Sequence, residues 1–336
     1  MREYILKLQR KENLSQGEIE AIMQEIMSGK SDKGDIAAFL LSLRAKGATV
    51  EEITGAAKIM RKFVVPIKTK HQHILDTCGT GGDKKNTFNI STITALVVAS
   101  GGCVVAKHGN RSMTSNCGSA CLLESLGVNL EVEEAKLSEC LDKIGIAFLF
   151  AQKLHPAMKN VAPIRRELGV ETIFNILGPL TNPAKATHQM MGVYSRDLVE
   201  PMAEVLKNLG LKRSLVVHGA DGLDEVTTTT QTFIGEFTGK ELRSYDFIPE
   251  ELGIPLAKPD DLTGGDIERN TQIARQILDG ESGPKRDIVV LNAAFAFYTA
   301  QKVDNILDGI HLASECLDQK KAKSKLAELI AFTNTQ

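Results

Sequence analysis

The chain has 336 residues, 43% of them hydrophobic, which suits one large domain with a smaller one. Its formal net charge of −2 gives no electrostatic reason to expect nucleic acid or a membrane surface as a partner. A charged N-terminus without an apolar core predicts no signal peptide, and six scattered cysteines are typical of reduced thiols, so we expect a cytoplasmic protein.

The first 65 or so residues are predicted to be helical. The segments 15–18 (Ser-Gln-Gly-Glu) and 49–52 (Thr-Val-Glu-Glu) have the pattern of capping boxes, and each precedes an apolar periodic run. Pro66 ends this part of the chain. We predict a helical domain over 1–66, completed by about 155–185, because that later stretch is helical, rich in proline and more like the N-terminal part than a sheet.

After Pro66, short apolar runs alternate with helical stretches, which predicts a mostly parallel sheet with crossover helices in an α/β domain over 67–336. The longest uncharged run, 88–106, is as long as a membrane span, but its polar residues favour a buried helix followed by a buried strand. Strands are predicted at 74–75, 103–106, 146–150, 190–194 and 214–217, an edge or hairpin strand at 232–237, and late helices at 288–300 and 322–332.

A glycine cluster at 79–82 lies between the strand at 74–75 and a helical run at 90–99. Free backbone N–H groups in such a loop, together with a helix N-terminus, form a cradle for phosphate. The loop ends in Gly-Gly-Asp where a P-loop needs Gly-Lys-Ser/Thr, and Lys84 stands where the dinucleotide pattern needs glycine. Asp83 would repel phosphate unless a metal or a ligand hydroxyl accepted it. A tight turn is the alternative; the polar side chains that favour a binding site are Thr87, Asn89, Ser91 and Thr92.

A second polar segment, 107–115, directly follows the strand at 103–106. Ligands of parallel sheets gather at the carboxyl ends of strands. Lys107 and Arg111 supply cationic donors to anions, although a basic loop can also be a solvated surface. Neutral donors are predicted at Ser112, Thr114, Ser115 and Ser119.

Two further groups carry charge. Asp224 and Glu225 follow the strand at 214–217, and adjacent carboxylates suit Mg²⁺, which prefers oxygen ligands; an acidic turn is the alternative. Arg165 and Arg166 lie on a predicted helix. One of these guanidinium groups suits a small carboxylate, unless both face solvent or pair with acids.

Seven segments resemble, in order, the signatures of the anthranilate phosphoribosyltransferase family, and they cover roughly residues 75 to 230. They are 76–83, 89–92, 107–115, 155–158, 165–169, 175–183 and 221–225. The resemblance implies a small all-helical N-terminal domain plus a large α/β domain, as in the nucleoside phosphorylase and class II phosphoribosyltransferase architecture. It also implies a homodimer formed through the helical domain, a role in tryptophan biosynthesis, two Mg²⁺ ions per active site, and neither nucleic acid nor membrane as a partner.

The implied reaction is attack of the anthranilate amine on C1 of phosphoribosyl pyrophosphate, with release of pyrophosphate. Leaving-group and transition-state stabilisation would come from Lys107, Gly82 and Asp83. Implied phosphoribosyl pyrophosphate contacts are Gly79, Gly82, Asp83, Thr87, Asn89, Ile90, Ser91, Thr92, Lys107, His108, Gly109, Asn110, Arg111, Ser112, Met113, Thr114, Ser115 and Ser119. Implied anthranilate contacts are Gly79, His108, Asn110, Arg165 and Pro179. Implied Mg²⁺ ligands are Ser91, Asp224 and Glu225.

The chain departs from the family pattern at Lys84 to Asn86, at Cys121 and at Glu171. Two alternatives stay open. A pyrimidine nucleoside phosphorylase shares the architecture, but its loops differ and it has no purpose for Asp224 and Glu225. A non-catalytic homologue that binds nucleotides or nucleic acid is disfavoured by the intact loops and the lack of a basic bias.

Overall fold

A computed structural model of the chain describes residues 1–111 and 117–335. Four helices open the chain, as predicted. Both capping boxes are confirmed, because Ser15 and Glu18 cap one helix reciprocally and Thr49 and Glu52 cap another. The helices are α1 Arg2–Gln9, α2 Gln16–Met27, α3 Lys33–Lys46 and α4 Val50–Lys62.

The described residues form one seven-stranded sheet in the order β3-β2-β1-β4-β5-β6-β7. Its first five strands in that order are parallel, and the last two are antiparallel, which confirms the mostly parallel sheet. The seventh strand was not predicted, because its largely exposed, polar residues carry no apolar signal. The strands are β1 Leu75–Gly79, β2 Val105–Gly109, β3 Ile146–Phe150, β4 His188–Gly192, β5 Arg213–Gly219, β6 Thr232–Phe237 and β7 Leu242–Phe247.

Helices connect the strands and complete the C-terminal part. Among the residues described, no helix is both long and apolar enough to cross a bilayer. The α-helices are α5 Ile90–Ser100, α6 Ser119–Ser125, α7 Glu134–Ile144, α8 Ala151–Leu154, α9 Ala162–Leu168, α10 Phe174–Leu177, α11 Val199–Asn208, α12 Ile267–Leu278, α13 Pro284–Thr299, α14 Ile306–Asp318 and α15 Lys321–Asn334. Short 3₁₀ helices cover Pro156–Asn160, Gly178–Leu180, Arg196–Leu198, Pro249–Leu252 and Pro259–Leu262.

Two large hydrophobic clusters divide between the faces of the sheet. One joins α5 and α13 to the strands, with Leu96, Leu215 and Phe295 buried in it. The other joins α1–α4 to α11 and to buried residues of the segment 157–180, such as Val161. The segment predicted to return to the N-terminal helices therefore shares their core. The exact domain limits, 1–66 and 67–336, stay a prediction.

Two strands end later than predicted, and this moves part of the site from loop to strand. β1 continues through Asp76 to Gly79, and β2 continues through Lys107 to Gly109. The Asp76 carboxylate is tolerated inside the sheet because it accepts hydrogen bonds from His108 N at 3.1 Å and Asn182 Nδ2 at 2.7 Å. Lys107 was predicted in a loop, and that prediction is wrong: it is a strand residue, only 3% exposed.

Candidate active site

The segment 220–231 after β5, which we call the acidic loop, packs directly on the carboxyl ends of β1 and β4. Both strands end in glycine. A Cβ atom at Gly79 would lie 2.6 Å from Asp224 Oδ2, and one at Gly192 would overlap the Asp224 carbonyl oxygen. Only glycine lets the loop approach this closely.

The two adjacent carboxylates join the acidic loop to the glycine loop and to α5. Asp224 Oδ2 accepts a hydrogen bond from Gly81 N at 2.9 Å. Glu225 Oε1 accepts one from Ser91 N at 3.1 Å, in the first turn of α5. Three segments that the sequence separates by up to 146 residues thus meet, as expected for the carboxyl edge of a parallel sheet.

A small cavity lies where these segments meet. Its volume is about 10 Å³, close to the space of a single water. Its lining residues are Thr77, Cys78, Gly79, Ser91, Thr94, Met190, Gly192, Asp224 and Glu225. The three predicted metal ligands therefore border one small space.

Burial and mutual repulsion raise the pKa values of the carboxyl groups here. Burial, with the nearby Asp83, raises the pKa of Asp224 to about 7. Burial, with Asp224, holds the pKa of Glu225 well above its ordinary value, and burial also raises the pKa of Asp83. Lys107 is the nearby cation; its Nζ donates to Thr77 O at 2.5 Å and to Ser91 Oγ at 3.2 Å, and burial lowers its pKa.

The donor chemistry fits Mg²⁺. A divalent cation would relieve the carboxylate repulsion, and hydroxyl and carboxylate oxygens are its preferred ligands. Within 1–111 and 117–335, no group of three or more His, Cys, Asp or Glu side chains is placed to hold a metal ion. The protein therefore offers an incomplete ligand set, as is usual for Mg²⁺ bound together with substrate phosphates.

The glycine loop has the backbone that its sequence requires. Gly81 and Gly82 have φ of +62° and +82°, the left-handed region that favours glycine. Asp83 Oδ1 accepts from Lys85 N at 3.3 Å, and Thr87 forms an isolated antiparallel bridge with Thr263. With this backbone, the glycine loop lies beside the acidic loop and precedes the N-terminus of α5.

The start of α5 carries buried polar atoms that have no hydrogen-bond partner among the described residues. Asn89 Nδ2 donates to Cys117 O at 2.9 Å. Asn89 Oδ1 and Thr92 Oγ1 are buried, and no described residue bonds either one. Ile90 differs: its side chain lies in the hydrophobic core and its amide donates to Phe88 O at 2.8 Å. Polar atoms of Asn89 and Thr92 thus stay without a bond among the described residues, whereas Ile90 belongs mainly to the core.

His108, which is predicted to contact anthranilate, lies next to Lys107 at the carboxyl end of β2. His108 Nε2 lies 3.0 Å from His155 Nε2. Burial, with the second ring, lowers the pKa of His108 to about 3, and burial lowers that of His155 to about 4, so both imidazoles are neutral at pH 7. A neutral pair at this distance needs one ring to donate and the other to accept.

Arg165 is half-buried on α9, and burial lowers its pKa without removing its charge. One guanidinium nitrogen donates to Asn175 Oδ1 at 3.1 Å, and the group lies 5.6 Å from the Phe174 ring centre. Pro179 is buried, and its carbonyl oxygen accepts from Gln189 Nε2 at 2.7 Å. The hydrogen bond to Asn175 thus holds Arg165 in place, and this bond uses only one of the N–H donors of the guanidinium.

Other predicted contacts lie at or just after the carboxyl end of β2. Arg111 forms an ion pair with Glu124 at 2.6 Å, and its guanidinium lies 5.5 Å from the centre of the Phe150 ring. The guanidinium therefore faces Glu124 and Phe150. Asn110 is exposed and its Oδ1 accepts from Arg111 N. Gly109 ends β2 against Phe148, and Ser119 begins α6. The predicted contacts Ser112, Met113, Thr114 and Ser115 lie outside the described residues.

Sequence reasoning missed several residues that build the site. Asp76 and Asn182 fix β1 to β2, since Asn182 Nδ2 also donates to Ala106 O at 2.8 Å. His155 is the partner of His108, and Gly192 makes room for the acidic loop. Asp76 and Asn182 lie in segments already singled out, but pairing across 106 residues carries no local signal.

Comparison with known proteins gives the same division into a helical domain and an α/β domain. The helical bundle domain of a glycosyl transferase family matches residues 2–64, and the a/b domain of that family matches 71–323. The anthranilate phosphoribosyltransferase of Acetivibrio thermocellus is 52% identical over 335 residues, covering 100% of this chain and 97% of that protein.

Two solved structures are similar over nearly all of their length. The anthranilate phosphoribosyltransferase of Thermus thermophilus superposes with a TM-score of 0.94 at 42% identity, covering 98% of this chain and 99% of its own. That of Saccharomyces cerevisiae, solved in complex with phosphoribosyl pyrophosphate and Mg, gives a TM-score of 0.90 at 27% identity, covering 100% and 99%.

Proposed function

The chain belongs to the anthranilate phosphoribosyltransferase family, and from that premise we propose how its residues carry out the reaction. The enzyme transfers the phosphoribosyl group of phosphoribosyl pyrophosphate to the amine of anthranilate, releasing pyrophosphate, in tryptophan biosynthesis. The observation that carries the proposal is the half-buried pair Asp224 and Glu225, hydrogen-bonded to the glycine loop and to the first turn of α5. This arrangement suits a metal-assisted pyrophosphate leaving group.

Pyrophosphate lies along the glycine loop at Gly79, Gly82 and Asp83, opposite the acidic loop. Mg²⁺, when bound, neutralises charge that develops on the leaving oxygens. Lys107, whose ammonium group lies between β1 and Ser91, adds positive charge from beneath the loop. Because carbon–oxygen cleavage places charge on the leaving group, most catalysis comes from this electrostatic stabilisation.

We propose two Mg²⁺ ions per active site. Ser91 would hold one ion, and Asp224 and Glu225 would hold the second. Ser91, Asp224 and Glu225 border the same cavity. Ser91 N also donates a hydrogen bond to Glu225 Oε1 at 3.1 Å. Burial and the repulsion between neighbouring carboxylates raise the pKa values of Asp224 and Glu225, and a bound cation would lower them.

The remaining phosphoribosyl contacts surround the start of α5 and the end of β2. Asn89 Oδ1 and Thr92 Oγ1 supply buried polar atoms that no described residue bonds. Burying such atoms unpaired is unfavourable, so a ligand that bonds them gains affinity. The proposed contacts are completed by Thr87, Ile90, His108 to Arg111, Ser112 to Ser115 and Ser119.

Anthranilate lies between Arg165 and His108, with Gly79, Asn110 and Pro179 around it. The Arg165 guanidinium keeps donors beyond its bond to Asn175 and binds the carboxylate. The neutral His108 and His155 rings form an uncharged wall beside the aromatic ring. No strong base is needed, because an aromatic amine is already neutral at pH 7.

We propose a homodimer formed through the helical part of the chain, in the cytoplasm. Two large apolar side chains there are exposed, Leu6 at 54% and Leu41 at 42%. Sedimentation velocity should give a dimer that Leu6→Glu with Leu41→Glu dissociates. Buried thiols at Cys78, Cys103, Cys140 and Cys316 suit a reducing compartment.

The test is loss of anthranilate fluorescence in the presence of phosphoribosyl pyrophosphate and Mg²⁺. We expect turnover that stops when a chelator removes the metal and returns when Mg²⁺ is added in excess. A parallel incubation with thymidine or uridine and phosphate tests the phosphorylase alternative. Phosphorolysis there, without anthranilate turnover, would overturn the proposal.

A further inference from the structure

One amide side chain lies buried in an otherwise apolar stretch of α13. Asn292 is 0% exposed, and its neighbours Leu291 and Ala293 are buried apolar residues. An uncharged polar group in such a core destabilises the fold unless hydrogen bonds compensate for the loss of water. Asn292 therefore needs a partner, and it finds one in the acidic loop.

Asn292 binds both polar groups of one residue, Val226, which directly follows Glu225. Asn292 Oδ1 accepts from Val226 N at 3.0 Å, and Asn292 Nδ2 donates to Val226 O at 2.8 Å. The second proton of the amide goes to Ile288 O, one turn earlier in α13, at 2.8 Å. The side chain is thus locked to its own helix and holds the loop with both ends of its amide.

The acidic loop needs such support, because residues 220–231 lie in neither helix nor strand. Inside the loop, Asp221 accepts from Leu223 N at 3.1 Å and from the hydroxyls of Thr227 and Thr229. These bonds shape the turn, but they do not tie it to the domain core. The bonds from Asn292 do, at the residue next to a proposed metal ligand.

We propose that Asn292 is a positioning residue for Mg²⁺: it fixes the backbone at Val226 so that Asp224 and Glu225 face the cavity. The inference rests on the proposed function, because it concerns the proposed metal ligands. The alternative is a purely structural role, in which Asn292 only satisfies the Val226 peptide groups. That alternative predicts lower stability and unchanged metal affinity.

Asn292→Leu keeps the branching of the side chain, adds volume and helix propensity, and removes both bonds to Val226. Partners of metal ligands typically change metal affinity by about 10- to 100-fold when removed. We therefore expect the Kd for Mn²⁺ in the presence of pyrophosphate, followed by the free Mn²⁺ EPR signal, to rise at least about tenfold. The Mg²⁺ needed for half-maximal turnover should rise with it, while the anthranilate KM changes less than about twofold.

Phe297→Leu is the matched control. Phe297 is equally buried, lies on the same helix and packs against Gly101, away from the acidic loop. It should lose stability and keep its Mn²⁺ affinity. If Asn292→Leu does not fold, Asn292→Ala removes the same two bonds without added volume and gives the same comparison.

Two results would overturn the inference: an Asn292 variant that is folded and binds Mn²⁺ as tightly as the parent enzyme, or fast hydrogen exchange at Val226. The second needs no variant, because the Val226 amide should exchange slowly in the parent enzyme without metal or substrate. Mn²⁺ binding does not depend on turnover, so an enzyme that failed the anthranilate assay would contradict the proposed function and leave this test intact.

Discussion

Arg165 is the residue whose role can be separated most cleanly from folding. Its guanidinium is half-buried, with Asn175 Oδ1 as a side-chain acceptor at 3.1 Å. Arg165→Ala should raise the anthranilate KM by more than about tenfold with a smaller effect on kcat, because it removes ground-state binding of the carboxylate. Initial rates against anthranilate and against phosphoribosyl pyrophosphate give both constants. Arg166→Ala, at an exposed position one residue later, is the control, and an unchanged anthranilate KM for Arg165→Ala would refute the assignment.

Removing the charges of the acidic pair tests the metal ligands directly. Asp224→Asn with Glu225→Gln preserves shape and removes both carboxylates. We expect Mg²⁺-dependent turnover at limiting metal to fall by far more than about tenfold, because the remaining oxygen ligands bind Mg²⁺ weakly. Mg²⁺ titrations of the initial rate make the comparison. Near-normal activity at limiting Mg²⁺ would count against the metal role.

The pKa of Asp224 gives this site a defined pH dependence. Its pKa is raised to about 7 by burial and by Asp83. Mg²⁺ binds the deprotonated carboxylate, so affinity is full above this pKa and is lost as pH falls through it. For one such proton, the half-saturating Mg²⁺ concentration should rise about tenfold from pH 8 to pH 6.

Substrate phosphates also titrate in this range, so the comparison is with Asp224→Asn. The variant keeps the substrate contribution and loses that of the carboxyl group. Its dependence on pH should be flatter than that of the parent enzyme. Equal slopes in the two proteins would mean that Asp224 does not compete with protons for the metal.

At the scale of the element, the ends of the parallel strands decide where the acidic loop can lie. A Cβ at Gly192, the last residue of β4, would overlap the Asp224 carbonyl oxygen, so Gly192→Ala must push the loop outward. A displacement of about 1 Å near reacting groups can reduce the rate about a hundredfold, and we expect kcat to fall by this order. Steady-state kinetics with circular dichroism separates the effect from unfolding.

Gly34→Ala is the control, since a Cβ there meets nothing within 4 Å and α3 favours alanine. It should leave kcat unchanged. If Gly192→Ala were as active as Gly34→Ala, the close packing of β4 against the acidic loop would not matter for catalysis.

The strands and helices were predictable wherever local signals sufficed. The capping boxes at Ser15 and Thr49 correctly predicted the starts of two helices. The strands predicted at 146–150 and 232–237 match β3 and β6. The ends of β1 and β2 were predicted three or more residues early because Asp76 and Lys107 look like loop residues. Their burial depends on partners distant in sequence, such as Asn182 for Asp76, and no local pattern encodes such a pair.

The sequence predicted the residues of the candidate site itself, but it did not predict the residues that hold them in position. Asp224, Glu225, Ser91 and the glycine loop were identified by residue type and spacing. Asn292 stood in a helix predicted only as apolar. Its role follows from two hydrogen bonds to Val226, 66 residues away, which only the folded chain brings together.

At the scale of the whole molecule, the helical part and the sheet share one hydrophobic cluster. The cluster around α1–α4 also contains Met191 of β4, Val216 of β5 and most of the buried side of α11. Arg61 of α4 adds hydrogen bonds to Leu180 O at 2.6 Å and Leu209 O at 3.3 Å. One core shared in this way predicts a single cooperative transition.

Phe39→Ala tests this prediction, because Phe39 is fully buried in α3 and far along the chain from the sheet. Removing a buried phenylalanine costs about 3–5 kcal/mol. We expect one calorimetric transition in both proteins, shifted to lower temperature in the variant, with equal calorimetric and van't Hoff enthalpies at a fixed protein concentration. Phe297→Leu, on the opposite face of the sheet, should shift the same transition by its own amount. Two resolved transitions, only one of them sensitive to Phe39, would mean instead that the helical part folds as a unit of its own and that the shared cluster does not couple it to the active-site edge.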